Sequence, residues 1–203
     1  MSVDVVVVWA RAAPSVALTG QLVGTVAREL TGSGDAVTHT HLCPRCGSDA
    51  HGRPVLTGRR DLGISVAHTD EVTAVAGVEG TSVGVDLEPV GVAGRPSIAA
   101  VLLHPHEHAG DAEELTRTWV RKESLLKALG TGLSVDPREV ELTGPGEAPQ
   151  ARRLPAPFGD VAVRMQDLGL GASHVGCVSV LSTAAPVVRV VRLVPAEPEA
   201  PAR

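Results

Sequence analysis

Apolar and polar positions alternate along this chain with two different periods, which predict both strands and helices. Asp4 to Trp9 carries a continuous run of β-branched residues, which is typical of a buried strand. Shorter apolar runs between turn residues predict further strands at 63–67, 71–78, 82–87, 135–142, 161–165, 174–181 and 187–194. We expect these strands to pair mostly antiparallel.

Two segments have helical periodicity. In residues 15–30, which end before Gly32, apolar side chains recur at Val16, Val23, Val26 and Leu30. In residues 111–129, Asp111 can cap the first turn and Glu114 can complete a capping box. Strands and helices in this order predict the α+β fold class.

Glycine and proline divide the chain. The segment 91–96 is rich in both and predicts a boundary between an N-terminal subdomain, 1–90, and a C-terminal subdomain, 91–195. The Pro/Glu/Ala tail at 196–203 predicts a frayed end. Residues 38–57, rich in His, Cys, Gly and Pro, predict an irregular loop.

Charge and cysteine content exclude several classes of protein. The net charge of −5 over 203 residues argues against nucleic acid as a partner. The run Val5 to Val8 is too short for a membrane span or a secretory core, so we expect a cytoplasmic protein without a membrane partner. Three cysteines, an odd number, do not form a disulfide framework.

Two carboxylates lie on one face of a predicted strand. Asp86 and Glu88 are two residues apart, so both point to the same side, while Leu87 points into the core. Such carboxylates repel each other unless a cation lies between them. The pattern indicates either a solvated strand face or a cation site.

The second helix carries a polar stripe. Trp119, Glu123 and Lys127 follow each other at intervals of four residues, which places them on one side. The pair of Glu123 and Lys127 is either an ordinary helix salt bridge or part of a site. Lys122 and Lys127 are the only lysines of a chain that otherwise uses arginine, and an ammonium differs from a guanidinium in size and geometry. This selective use favours a site.

Together, the strand and the helix resemble the signature of the 4'-phosphopantetheinyl transferase superfamily. Its pattern is a (V/I)-G-(V/I)-D strand followed by W-x-x-K-E-x-x-x-K and often by G-x-G-L. The matching residues are Gly84-Val85-Asp86, Trp119, Lys122-Glu123, Lys127 and Gly130 to Leu133, and Asp86 lies 37 residues before Glu123. The resemblance covers residues 40 to 145 well and the ends poorly.

The resemblance implies a fold and a branch. The smaller members assemble as trimers, whereas the Sfp-type branch fuses two similar subdomains in one chain, and the present length implies that branch. We therefore expect a pseudo-two-fold pair of subdomains, each with a small mostly antiparallel sheet packed with a long helix. A monomer is expected, because the fused halves already supply the interface where the site forms.

The resemblance also implies a reaction. Asp86, Glu88 and Glu123 would bind Mg²⁺, a hard ion that prefers oxygen ligands, and Lys122 and Lys127 would contact phosphate oxygens. The serine of an apo acyl or peptidyl carrier protein would attack coenzyme A, and 3',5'-ADP would leave. Either Glu123 or a water molecule at the metal would be the base.

Upstream residues resemble further parts of the family's coenzyme A site. His68, at the end of a predicted strand, resembles the His of the N-I-S-H-S turn that contacts phosphate. Ala67 replaces the usual Ser before it, and Thr69 can partly substitute. Arg53, in Gly52-Arg53-Pro54, resembles the basic residue of a G-(K/R)-P loop and would make a bidentate phosphate contact.

One feature departs from the family. Basic residues are sparse in the N-terminal half, where Arg11 and Arg28 are the ones near the first helix. One alternative is that Arg45, Arg59 or Arg60 binds the 3'-phosphate of coenzyme A. The other is that coenzyme A binds weakly. A degenerate, non-catalytic member is therefore one alternative.

Two other functions are consistent with the sequence. A Mg²⁺-dependent phosphohydrolase would use the same carboxylates with water as nucleophile. A zinc-bound interaction module would use Cys43 and Cys46 with flanking histidines, His41 and His51, although the spacing matches no standard finger. The later histidines, His104, His106 and His108, are interpreted as surface residues beside a predicted helix start at Pro105-His106-Glu107.

Overall fold

The computed structural model describes residues 2–43, 46–49, 52–93 and 96–194. In chain order the elements of these ranges are β1 (Val3–Ala10), α1 (Val16–Thr31), β2 (His39–Leu42), β3 (Arg53–Leu56), β4 (Leu62–His68), β5 (Thr73–Glu79), β6 (Val83–Pro89), α2 (Pro96–Leu102), α3 (Ala112–Ala128), β7 (Glu141–Leu142), β8 (Ala151–Arg153), β9 (Val163–Gly169), β10 (His174–Leu181) and β11 (Pro186–Arg192). Short 3₁₀ helices occupy Gly132–Ser134 and Pro137–Glu139.

A six-stranded sheet, in the order β11-β1-β5-β4-β3-β2, forms the first layer. Its pairs are antiparallel except for β1 and β11, which run parallel. Val5 to Val8 are wholly buried, because α1 covers one face of β1 and the second sheet covers the other. A strand that is buried on both faces is continuously apolar, which explains the valine run.

Helix α1 begins and ends close to where its pattern predicts. The Ser15 hydroxyl accepts a hydrogen bond from Leu18 N, and Gly32 ends the helix in the left-handed conformation, with φ of 67°. The predicted apolar face is wrong at its first position, because Val16 is 89% exposed. Leu18 and Leu22 occupy the buried face instead.

A three-stranded antiparallel sheet, in the order β6-β10-β9, forms the second layer. Helix α3 packs against β6 and β10. The two sheets meet where β4 crosses β6, and there Ser65 Oγ accepts a hydrogen bond from Val85 N at 3.1 Å. The α+β class is therefore confirmed, while the pseudo-two-fold relation stays a prediction.

Strands cross the predicted boundary in both directions. β6 belongs to the predicted N-terminal subdomain but pairs with β10, and β11 returns to pair with β1. The division into 1–90 and 91–195 stays a prediction. The predicted frayed tail, 196–203, lies outside the described residues.

Three local predictions are wrong. The segment 38–57 is not wholly irregular, because β2 and β3 pair within it. The strand predicted at 135–142 is a 3₁₀ turn followed by the two residues of β7. The helix start predicted at Pro105-His106-Glu107 is also wrong, because α3 begins at Ala112, after the cap at Asp111.

Gly84 sets the distance between β6 and α3. A Cβ atom at this position would overlap the Ser124 carbonyl oxygen and lie 2.5 Å from Ala128 N. Only a residue without a side chain allows the helix to lie this close to the strand. The glycine of the G-V-D motif therefore has a packing function that brings α3 over the acidic end of β6.

No helix in the described ranges is long and apolar enough to span a membrane.

Gly84→Ala should lower the free energy of unfolding by about 1–3 kcal/mol, because the added methyl group forces α3 away from β6. Gly20→Ala is the matched control, since nothing lies within 4 Å of its added Cβ and alanine favours a helix. Chemical denaturation measures both. Equal stability of the two variants would contradict the packing function of Gly84.

Candidate functional site

The side chains of Asp86 and Lys127 meet where α3 crosses β6. Lys127 Nζ lies 2.7 Å from Asp86 Oδ1 and also donates to the Val85 carbonyl oxygen at 3.2 Å. The Asp86 side chain is 9% exposed and that of Lys127 is 29% exposed. Because water is largely excluded, the attraction between the two charges is stronger than it would be at the surface.

The second carboxylate oxygen of Asp86 has no hydrogen-bond partner in the described structure. Oδ2 is buried, and an unsatisfied buried oxygen costs free energy. Burial raises the pKa of Asp86, although the charge of Lys127 acts in the opposite direction. A cation beside Oδ2 would satisfy the oxygen and keep the carboxylate ionised.

Glu88 and Glu123 add two more carboxylates. Burial, together with the charges of Asp86 and Glu123, raises the pKa of Glu88 to about 6. Burial and the charge of Asp86 likewise raise the pKa of Glu123. Each carboxylate thus opposes the ionisation of another, which is the electrostatic signature of a site that gains from a bound cation.

This set of donors fits Mg²⁺. All three are carboxylates, and hard divalent cations prefer oxygen ligands. The three groups stand further apart than a closed cluster would, because their ligand atoms do not all lie within 4.8 Å of one another. Mg²⁺ commonly retains water and binds through one or two carboxylates plus substrate phosphates, so this spacing remains suitable.

A cavity of about 370 Å³ opens beside Lys127. It lies between β3, β4 and the end of α3, and the polar residues in its wall include Arg53, Ser65, Thr131 and Ser134. Apolar residues, among them Val55, Ile64 and Val83, form much of the remainder. The predicted phosphate-binding residues Arg53 and Lys127 therefore line one cavity.

A second cavity, of about 420 Å³, reaches Glu88 from another side. Thr69, Ser173 and His174 also line it. Thr69 Oγ1 lies 3.4 Å from His174 Nε2, and Ser173 Oγ lies 3.0 Å from His174 Nδ1. The sequence analysis missed His174, because a histidine at the start of an apolar strand carries no periodic signal.

The predicted site residue His68 is exposed at the end of β4. It is adjacent in sequence to Thr69 but lines neither of these two cavities. Its assignment to phosphate binding stays a prediction.

Lys122 does not lie at the site, and its predicted phosphate contact is wrong. Its Nζ is enclosed by the Glu107 carboxylate, at 2.6 Å, and by the carbonyl oxygens of Leu102, Pro137 and Val140. The residue is 1% exposed. Burial lowers the pKa of Lys122, whereas Glu107 stabilises the charged form. The lysine is a buried structural cation.

Arg121, which the sequence analysis also missed, has a comparable function. Its guanidinium contacts both oxygens of Asp167, at 3.0 and 2.6 Å, and the carbonyl oxygens of Gly144 and Glu147. These bonds join α3, β9 and the loop after β7. Because α3 is fixed in this way, Glu123 and Lys127 are held against β6.

The zinc site considered at Cys43 and Cys46 stays a prediction. His51 and Arg45 lie outside the described residues. Cys43 is partly buried and lines the first cavity, so this loop borders the site.

Arg59, one of the residues considered for the 3'-phosphate, forms a salt bridge with Asp61 at 2.7 Å.

Comparison with known proteins agrees with this geometry. A family model described as ACPS, the 4'-phosphopantetheinyl transferase superfamily, matches residues 82–178. The match includes β6 and α3, and hence Asp86, Glu88, Glu123 and Lys127. The matched segment, which spans just under half of the chain, is similar to this superfamily, whose general activity is phosphopantetheinyl transfer with coenzyme A as a substrate and carrier proteins as partners. No curated protein matches the chain, and the Sfp-type branch stays a prediction.

Lys122→Met should lower the free energy of unfolding by about 3–5 kcal/mol, because it leaves Glu107 buried without its charged partner. Lys127→Met should cost less, because the Lys127 side chain is 29% exposed and its Nζ contacts two oxygens, whereas the buried Lys122 Nζ contacts four. Denaturant titration of both variants measures the difference. A larger loss for Lys127→Met would contradict the structural role of Lys122.

Without metal, Glu88 should make stability depend on pH. Its pKa in the folded protein, about 6, lies above the ordinary value of 4.5. The stabilisation from its protonated form is therefore complete below pH 4.5 and lost as the pH rises through about 6. Thermal unfolding in EDTA should show a smaller loss over this range for Glu88→Gln than for the wild type.

Added Mg²⁺ supplies the complementary measurement. At neutral pH it should raise the melting temperature of the wild type more than that of Glu88→Gln, because the ion offsets repulsion among the three carboxylates. If the wild type and Glu88→Gln had identical pH profiles and identical responses to Mg²⁺, Glu88 would not be part of the cation site.

Proposed function

We propose that the chain is a Mg²⁺-dependent 4'-phosphopantetheinyl transferase. It transfers the 4'-phosphopantetheine group of coenzyme A to a serine of an apo acyl or peptidyl carrier protein and releases 3',5'-ADP. The observation that carries this proposal is the environment of Asp86. Its carboxylate is buried, one oxygen accepts a hydrogen bond from Lys127, and the other has no partner in the described structure. Glu88 and Glu123 stand near it, and a cavity lined by Lys127 begins beside it.

Coenzyme A would enter the cavity between β3, β4 and the end of α3. A volume of about 370 Å³ falls in the range of small-molecule sites. Arg53 presents a fork that matches two phosphate oxygens, and Lys127 presents a compact charge next to Asp86. Mixed apolar and polar walls suit a ligand that combines a nucleotide with a pantetheine chain.

The pyrophosphate would lie between the two cavities. Lys127 borders the first and Glu88 the second, so a long ligand passing from one to the other crosses the carboxylate group. We assign Thr69 and His68 to phosphate contacts on the Glu88 side. Thr69 is held by hydrogen bonds from Glu71 N and Val72 N to its hydroxyl oxygen, which fixes its position.

In the transfer step, the serine oxygen forms a bond to the β-phosphorus of coenzyme A. The bond from that phosphorus to the oxygen of 3',5'-ADP breaks, and the serine proton passes to a base. Asp86, Glu88 and Glu123 would hold Mg²⁺, which would neutralise charge on the pyrophosphate and the leaving group. Lys127 holds Asp86 in place and adds positive charge beside the phosphates.

Intact-mass spectrometry of an apo carrier protein tests this function. With coenzyme A and Mg²⁺ the carrier should gain one phosphopantetheinyl group, and EDTA should abolish the gain. Asp86→Asn should slow transfer by at least about 100-fold, the scale of losing one preorganised electrostatic contact. Arg53→Ala should mainly raise the KM for coenzyme A.

Arg153→Ala is the matched control for Arg53→Ala, because Arg153 is also an exposed strand arginine but lines neither cavity. It should leave both kinetic constants unchanged. Release of 3',5'-ADP from coenzyme A without any carrier would instead establish a phosphohydrolase. A folded protein that modifies no carrier would indicate a degenerate member.

Glu123→Gln separates the two functions considered for Glu123. If the residue binds the ion, the Mg²⁺ concentration that gives half-maximal activity should rise in the variant. If it acts only as the base, kcat should fall while that concentration stays unchanged. We expect the first result, because Glu123 is electrostatically coupled to both Asp86 and Glu88.

The monomeric state and the cytoplasmic location are parts of the same proposal. Size-exclusion chromatography with light scattering checks the first, and a trimer would contradict the fused arrangement of the Sfp-type branch.

A further inference from the structure

Two histidines and a glutamate meet at a position that the transferase site does not use. His104 and His106 lie in the turn after α2, and Glu141 lies on β7. Their ligand atoms all lie within 4.8 Å of one another, and this is the only such group of three or more found in the described ranges. The sequence analysis placed all three late histidines at the surface, which is wrong for His104, since it is buried.

The Glu141 carboxylate lacks a close partner. Its Oε2 lies 3.8 Å from His104 Nδ1 and 3.6 Å from His106 Nδ1, distances too long for hydrogen bonds. The Glu141 carboxylate accepts no hydrogen bond within the part of the chain that the structure describes. A cation between these groups would satisfy the carboxylate and both imidazoles.

The spacing suits a tetrahedral ion. Zinc binds nitrogen and oxygen ligands at about 2.0–2.2 Å, which places neighbouring ligands of a tetrahedron about 3.4 Å apart. The measured separations of 3.6 and 3.8 Å exceed this value by a few tenths of an ångström. The ring centroids of His104 and His106 are 4.8 Å apart, with the ring planes inclined at 74°. The donor atoms of the two histidines lie within 4.8 Å of each other, so a rotation of the exposed His106 ring would bring all three donors to one ion.

Glu107 fixes the two segments that carry these donors. Its Oε2 accepts a hydrogen bond from His104 N at 2.8 Å, and its Oε1 accepts one from Leu142 N at 2.8 Å, next to Glu141. The same carboxylate binds the buried Nζ of Lys122. The histidine turn and β7 are therefore held together without an ion, which lowers the entropic cost of assembling a site.

We propose that His104, His106 and Glu141 form a binding site for a first-row transition ion of the Zn²⁺ type. Imidazole nitrogen suits such ions and not Mg²⁺, so this site and the carboxylate site select different metals. His106 is 71% exposed, which leaves a fourth position open to water. His104 Nδ1 accepts a hydrogen bond from His106 N at 3.2 Å, and coordination through Nδ1 replaces that contact.

The bound ion would join the histidine turn to β7, next to the buried pair of Glu107 and Lys122. This structural role does not depend on the transferase reaction, so the two proposals can be tested separately.

Isothermal titration of the full chain with ZnCl₂ tests the site. Excess Mg²⁺ occupies the carboxylates, and a phosphine reductant keeps the cysteines reduced. The wild type should bind one Zn²⁺, and His106→Ala and Glu141→Gln should each weaken binding at least about tenfold. Zn²⁺ should raise the melting temperature of the wild type but not of these variants. Both substitutions are near the surface, so the variants should fold.

Two controls locate the ion. His108→Ala removes a nearby exposed histidine that is outside the cluster, and Cys43→Ser with Cys46→Ser removes the other candidate zinc site. Both should retain wild-type affinity. Absence of Zn²⁺ binding, equal binding by His106→Ala and the wild type, or loss of binding only in the cysteine variant would each overturn the proposal.

Discussion

The contact between α3 and β6 is the constraint on which the candidate site depends. Gly84 permits the close approach, and the approach brings Lys127 to Asp86. A buried carboxylate is costly unless a charge or hydrogen-bond donors compensate it. Here one oxygen is compensated by Lys127 and the other is not, so the fold retains an unfavourable feature that a bound cation would relieve. Such retained strain is typical of functional sites.

Helix α3 carries a structural lysine, Lys122, and a candidate site lysine, Lys127, on different sides. Five residues correspond to about 140° around a helix with 3.6 residues per turn, so Lys122 and Lys127 point in different directions. Lys122 enters a buried enclosure with Glu107, whereas Lys127 faces β6. Glu123 and Lys127, four residues apart, share a side. The sequence correctly marked both lysines as unusual but did not distinguish their functions.

Local periodicity predicted the elements that depend on local interactions. β1, α1, the β4–β5 hairpin and α3 follow from apolar spacing and capping residues. The pairings of β11 with β1 and of β6 with β10 are contacts between distant segments, which no local pattern encodes. The two strands β2 and β3 were missed because His, Pro and Arg weaken their pattern. His174 and Arg121 escaped notice because their importance arises from tertiary neighbours.

A crystal structure with Mn²⁺ and coenzyme A, with the ion located by its anomalous scattering, would test the cation site at Asp86 directly. We expect one Mn²⁺ beside Asp86 Oδ2 that also contacts the pyrophosphate, with Arg53 and Lys127 on the phosphates. Absence of Mn²⁺ from the position beside Asp86, or coenzyme A bound away from Asp86 and Lys127, would contradict the assignment of the site.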